Sequence, residues 1–287
     1  MSTNSIRPQA LIFTLFGDYV HARGGRIWIG SLVELLSLFG VSEQAVRTTV
    51  SRMTRSGWLA SQRVGSTSFY ALTAQAQQML DEGAARIFQP PANSAPWDHS
   101  WHLVTYSIPE DQREARDTFR RELMWHGYGM LANTVWISAH RQQEQIAQLV
   151  ARLNLQPYVQ TFTATLEGFV SEQDIVVRSW DLQAINAGYQ EFIAKHRTLF
   201  DDCQQRLQAG DALNEAECFV RRFNLIHDYR RFPFRDPHLP IELVPPDWCG
   251  VQAANFFREY HQLLAEPANR YFDSVYTMTS AARSTRT

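Results

Sequence analysis

Cysteine is scarce in this chain. Cys203, Cys218 and Cys249 are the only three in 287 residues, and no two form a C-x-x-C pair. That usage argues against a disulfide framework and a cysteine-type zinc site, and it suits a reducing compartment. Long apolar runs are missing too. The run within PQALIFTLFGDYV stops at Gly17 and Asp18 with no small-residue cleavage site after it, so it does not read as a secretory signal. No stretch approaches the ~18 uninterrupted apolar residues of a membrane span. Lysine is nearly absent, Lys195 standing alone against twenty-six Arg. What is present, 45% hydrophobic and 12% aromatic residues, is the composition of a globular protein, and the length suits two or three domains. A soluble, cytoplasmic protein is expected.

The net charge of −2 hides an asymmetry. Residues 1–90 hold eight Arg and five Asp/Glu, while the remainder holds nineteen Lys/Arg and twenty-four Asp/Glu. From Gln44 to Leu80 there are four Arg and no acidic residue at all. Such an imbalance points to an anionic partner for one end of the chain.

Periodicity and punctuation organise that end. Pro8 opens a helix over 8–20, Ser31 reads as the N-cap of a second over 31–39, and Gly40 ends it. Ser42 caps a third helix over 42–56, closed by Gly57. Two β-prone runs flank Val64-Gly65-Ser66 as a small hairpin, and Thr73 caps a fourth helix. The stretch QPPANSAP is of linker type. Beyond it, strands over 101–108, 133–139 and 159–169 alternate with helices over 110–128 and 142–155, which suggests a ferredoxin-like unit with one short strand unassigned. Helical patterns then cover 181–208, 211–226, 250–265 and 267–279, broken by a loop over 227–250 rich in Pro, Arg and aromatics.

The third helix carries the clearest chemistry. At about 100° per residue, Val46, Val50 and Met53 make one packing face. Gln44, Arg47, Thr48, Ser51, Arg52 and Arg55 lie opposite. A helix of this kind fits the major groove, where Arg reaches guanine, Gln pairs with adenine, and Ser or Thr serves bases or phosphates. Arg63, near the hairpin tip, extends the surface towards a phosphate or the minor groove. A solvated amphipathic helix is the plain alternative. The helix–turn–helix spacing, the Gly40 break, the hairpin, the missing acids and the position at one end of the chain together favour DNA binding.

GVSEQAVRTTVSRMTRSGWL and the Gly-Ser wing after it resemble the winged-helix end of the PaaX-type phenylacetic acid degradation repressors. The likeness continues through HDYRRFPFRDPHLPIELVPPDWCG and AANFFREYHQLL, which look like that family's C-terminal domain, and it covers essentially the whole chain. The resemblance implies a homodimeric repressor of phenylacetate catabolism genes with phenylacetyl-CoA as inducing ligand. The middle unit is also similar to the ferredoxin-like fold of Cas2 nucleases, which carry an Asp at the end of the first strand to hold a metal. Here Val104–Ile108 has no carboxylate, the nearest being Glu110 and Asp111 beyond Pro109. The unit therefore reads as structural and dimer-forming.

The loop raises two further questions. His227, Asp228, Asp236, His238 and Cys249 invite a metal or catalytic reading, yet no pair stands at i, i+4 and no H-E-x-x-H or nucleophile-elbow motif occurs. Hydrogen-bonded supports of a folded loop, or effector-pocket residues, are the other readings. An aryl-acyl-CoA needs an apolar slot for its ring and guanidinium groups for its phosphates. Arg230, Arg231, Arg235 and Trp248 are the candidates for it, although aromatics in such a loop also serve as plain core.

The expected architecture is multi-domain α+β. It comprises a winged helix-turn-helix at 1–88, a ferredoxin-like unit at 98–175, and a mostly α-helical effector domain at 176–287. The expected function is a ligand-responsive repressor, not an enzyme, with no cofactor or metal. Its partners are operator DNA, an acyl-CoA effector and a second copy of the chain. An acyl-CoA-acting or metal-dependent enzyme with a fused DNA-binding head, and an architectural nucleic-acid binder without effector, are the alternatives.

Overall fold

The computed structural model describes residues 7–65, 67–88 and 96–284, with the backbone alone for 277–284. The elements of the N-terminal third are α1 (Pro8–Leu15), β1 (Arg26–Trp28), α2 (Ile29–Ser37), α3 (Glu43–Arg55), β2 (Leu59–Val64), β3 (Thr67–Leu72) and α4 (Ala74–Phe88). The middle holds β4 (Trp101–Tyr106), α5 (Arg113–Trp125), β5 (Gly129–Ala132), β6 (Val135–Ser138), α6 (Gln143–Arg152) and β7 (Val159–Ala164). Then come α7 (Glu172–Ser179), α8 (Leu182–Gln208), α9 (Glu215–Tyr229), α10 (Gly250–Leu263) and α11 (Ala265–Ser284). No helix among the described residues is long and apolar enough to cross a membrane. The Pro-rich stretch 89–95 lies outside the described residues.

Contacts group the chain into two units that cut across its order. Residues 1–89, 195–229 and 255–287 make the first, and residues 90–194 and 230–254 the second.

In the first unit, Pro8 sits where a helix needs no N–H, and α1 runs on into a π-helical turn at Phe16–Val20. β1, β3 and β2 form an antiparallel sheet in that order, with Val64 opposite Thr67 across a two-residue loop. Gly65 in that loop has φ +62°, a conformation a β-carbon would oppose. Leu11, Leu15, Leu32, Leu35, Val46 and Val50 are buried, as are Phe219, Phe223 and Phe272, with α1 packed on α9 and α2 on α11. The Tyr19 ring stacks on Phe272 at 5.0 Å between centroids and tilts against Phe219 at 5.1 Å. The N-terminal helices thus bury their apolar faces on helices more than 170 residues further along the chain.

Ser31 departs from expectation for that reason. α2 begins at Ile29, before the expected cap, and the buried Ser31 hydroxyl donates to the Val275 carbonyl of α11 at 3.0 Å.

In the second unit the sheet order is β5-β6-β4-β7 with every pair antiparallel, the ferredoxin-like arrangement of βαββαβ. Period-2 alternation sends Val104 and Tyr106 of β4 to one face, where they meet Phe119 and Leu123 of α5 and Ile146 and Leu149 of α6. Trp101 and Leu103 face the other way, onto Val176, Leu182, Leu239 and Leu243. The strand left unassigned by the sequence is β5. The short α7 was not expected either; a Ser171–Asp174 capping box starts it.

Candidate nucleic-acid interface and an arginine-rimmed cavity

The Ser42 hydroxyl accepts from the Ala45 N–H at 3.3 Å and so starts α3 where the sequence places it. Val46, Thr49, Val50 and Met53 are buried, at the i, i+3, i+4, i+7 spacing of one helical face. Gln44, Arg47, Thr48, Ser51, Arg52 and Arg55 are all exposed. At 13 residues α3 is about 20 Å long, enough to lie along a groove. Its exposed face is cationic with one qualification that the sequence reading passed over: Glu43 accepts from Arg47 Nε at 2.7 Å. Arg63, on the exposed β2, turns its Nε back to the Gly65 carbonyl at 3.2 Å. Arg26 is a further exposed guanidinium, set 5.8 Å from the Phe69 ring by the β1–β3 pairing. It was missed because a three-residue strand leaves no periodic signal.

What holds this platform is polar as well as apolar. Asp18, in the π-helical turn, lies 2.9 Å from Arg222 Nη1 of α9 and 3.2 Å from His261 Nε2 of α10. Both Asp18 and Arg222 are almost fully buried, and the guanidinium sits 5.1 Å from the Tyr19 ring. Burial, and then the Asp18 charge, push the Tyr19 hydroxyl well above its ordinary value, so it stays neutral. Arg23 adds a second tie, donating to Asp273 and Asn269 of α11.

The four candidate effector residues do not share one environment. Arg231 and Arg235 line a cavity of about 750 Å³ within the second unit, together with Arg120 of α5. Arg230 and Trp248 are not among its lining residues. Burial pulls the Arg230 guanidinium below its ordinary value. Trp248 packs edge-on to Tyr189 at 5.7 Å. Arg120 could not have been singled out, since the fold alone brings it beside a loop more than a hundred residues away. Tyr128 also lines the cavity, and burial pushes its hydroxyl up to about 12, which keeps it a neutral donor.

The acidic, histidine and cysteine cluster is divided between the two units. Asp228 accepts from Lys195 at 2.7 Å and lies 2.9 Å from His196 Nε2 in the first. In the second, Asp236 accepts from the Tyr189 hydroxyl at 2.8 Å and from the His238 N–H at 2.7 Å. The Cys249 N–H donates to Asn186 at 2.8 Å.

Three segments of the chain match known families: residues 7–76 the PaaX-like protein family, 94–176 the PaaX protein central Cas2-like domain, and 180–274 the PaaX-like protein C-terminal domain. Over 266 residues the chain is 32% identical to the transcriptional repressor PaaX of Escherichia coli (strain K12), an alignment covering 92% of this chain and 82% of that protein. Among solved structures it is similar to an uncharacterized protein from Mycobacterium tuberculosis, with a TM-score of 0.62 at 20% identity over 94% of this chain and 99% of the other. The second likeness is one of fold.

Proposed function

The chain belongs to the PaaX family, and from that premise we propose that it is a DNA-binding transcriptional repressor of phenylacetate catabolism genes. Its N-terminal end is read as a winged helix-turn-helix, with α2 and α3 as the two helices and the β2–β3 hairpin as the wing. The carrying observation is α3 itself, one face of it buried and the other presenting Gln44, Arg47, Thr48, Ser51, Arg52 and Arg55 to solvent. Arg63 joins them from the wing. The protein acts as a homodimer on paired half-sites about one helical turn (~34–36 Å) apart, or a multiple of that, because a single head buries little groove surface. An aryl-acyl-CoA, of which phenylacetyl-CoA is the one the family resemblance names, releases it by favouring a dimer whose heads no longer match their half-sites. No catalytic step is assigned to it.

Footprinting on promoter DNA of the protein's own phenylacetate genes, with and without phenylacetyl-CoA, tests this reading. A protected site that the thioester releases is the expected result. Alanine at Arg47 or Arg52 should cost about 1–3 kcal/mol if the residue reads a base, or weaken all sequences alike and flatten the salt dependence if it meets a phosphate. A double variant protecting the same site at unchanged affinity refutes the assignment of α3.

A further inference from the structure

We propose that the cavity of the second unit is the seat of the effector. The aryl-acyl end of a thioester enters an aromatic slot there, and the phosphates of its carrier meet Arg120, Arg231 and Arg235. This rests on the effector reading above and gives it a place and a chemistry.

The space exists because of small residues. Ala184, Ala187 and Gly188 line it at i, i+3, i+4 on α8. The Phe232 ring comes to within 3.0 Å of where a Cβ on residue 188 would stand. The rings around the cavity are held by contacts of their own. Trp180 donates its indole N–H to the Gly127 carbonyl at 3.2 Å, Phe232 stacks on Tyr189 at 4.4 Å, and Phe234 stacks on Trp125 at 4.6 Å with 19° between the planes. Such a slot is preformed, so little ordering cost attends filling it. The volume, about 750 Å³, falls in the range of sites for drug-sized ligands. A benzene-sized group needs only about 150 Å³ of that, which leaves room for an acyl thioester and part of its carrier.

The charges point the same way. Among the described residues no carboxylate pairs with Arg120, Arg231 or Arg235, whereas Arg116 and Arg152 of the same unit pair with Glu110 and Glu122. Two acids also line the cavity, Asp181 and Glu191. The Asp181 carboxylate is engaged in capping α8, accepting from the Ala184 N–H at 3.0 Å. Three guanidinium groups without a carboxylate partner, Arg120 held only by the Met130 sulfur and Arg231 over the Phe232 ring, select beside these fixed rings a ligand that is aromatic at one end and multiply anionic at the other.

Calorimetric titration of the full chain with phenylacetyl-CoA, coenzyme A and phenylacetate tests this without DNA. The intact thioester should bind at least about tenfold tighter than either half, since each half meets only one set of contacts. Arg231→Ala/Arg235→Ala, at two exposed positions, should weaken it about ten- to a hundredfold and reduce its salt dependence. Ala184→Phe should abolish thioester binding by filling the slot. Arg178→Ala, exposed in the same unit and outside the cavity, should leave it unchanged. If the wild type binds phenylacetyl-CoA and the arginine variant binds it equally well, the seat lies elsewhere and the effector reading survives. If the wild type binds none of the three, the effector reading fails and this inference with it.

Discussion

Arg222→Met removes the cation beside Asp18 and leaves a carboxylate that is 8% exposed with the His261 imidazole as its remaining polar neighbour. Breaking a buried pair from one side typically costs about 3–5 kcal/mol, because the surviving charge keeps its desolvation penalty and loses its compensation. Both side chains are under a tenth exposed, so solvent screens the loss little. The variant should therefore sit near that range, a fall of about 6–20 °C in apparent melting temperature for a protein of this size. Asp18→Asn should cost a comparable amount, since it strands the buried Arg222 guanidinium in the same way. The double variant Asp18→Asn/Arg222→Met should recover much of the loss, because a neutral, well-packed replacement of a buried pair is often close to neutral in stability. Thermal and urea unfolding of the four proteins completes the cycle. A single Arg222→Met within 1 kcal/mol of wild type, or a double variant as unstable as the two singles added, refutes the idea that this pair ties α9 to the N-terminal helices.

Other outcomes follow from single contacts. Glu43→Gln frees Arg47 from its 2.7 Å partner and removes the acid nearest the reading face. Promoter binding by anisotropy should tighten about two- to fivefold at low salt and converge with wild type at high salt; no change at any salt would place Arg47 off the DNA. Ser31→Ala removes a buried hydroxyl bond to the Val275 carbonyl, which keeps its helical bond within α11, and should cost about 0.5–1.5 kcal/mol in thermal unfolding; no measurable loss would show that this tie adds nothing. Burial works to raise the Asp228 carboxyl, but hydrogen bonds from His196 and Lys195 outweigh it and hold the group below its ordinary value. A folded value below the unfolded one gives stability that is full above the ordinary carboxylate range and lost as pH falls through the lowered value. Asp228→Asn should accordingly flatten the acid side of the stability profile below about pH 4, and superimposable acid limbs would show that the pair contributes nothing there.

Local signals were legible where the physics is local. The Ser42 cap, the α3 periodicity, the Gly65 turn and the Thr73 cap each depend on atoms a few residues apart, and the chain shows all of them. Ser31 was misread for the complementary reason. A serine ahead of an apolar run looks like a cap, while its true acceptor is 244 residues away. The helical pattern over 211–226 named no partner, so nothing in the sequence told that Phe219 and Phe223 complete the core around Tyr19 and Phe39. Thr49, which the helical pattern assigned to neither face, is buried with Val46, Val50 and Met53 on the packing face. Of the effector candidates, Arg231 and Arg235 could be suspected from their density of arginine and aromatics. The third arginine, Arg120, could not, since only tertiary structure places α5 beside them.

The discontinuity of the first unit also has a bearing on synthesis. α1 and α2 leave the ribosome well before α9 and α11, yet the rings they pack against lie on those two helices. At typical elongation rates of about 5–20 residues per second, the nascent N-terminal end waits roughly 10–40 s for those partners. During that time the middle sheet, whose strands are all contiguous in the chain, can already form. A prematurely terminated polypeptide would carry the cationic helix without the core that seats it. Such a fragment would leave the apolar faces of α1 and α2 uncovered, because α9 and α11 are what close over them.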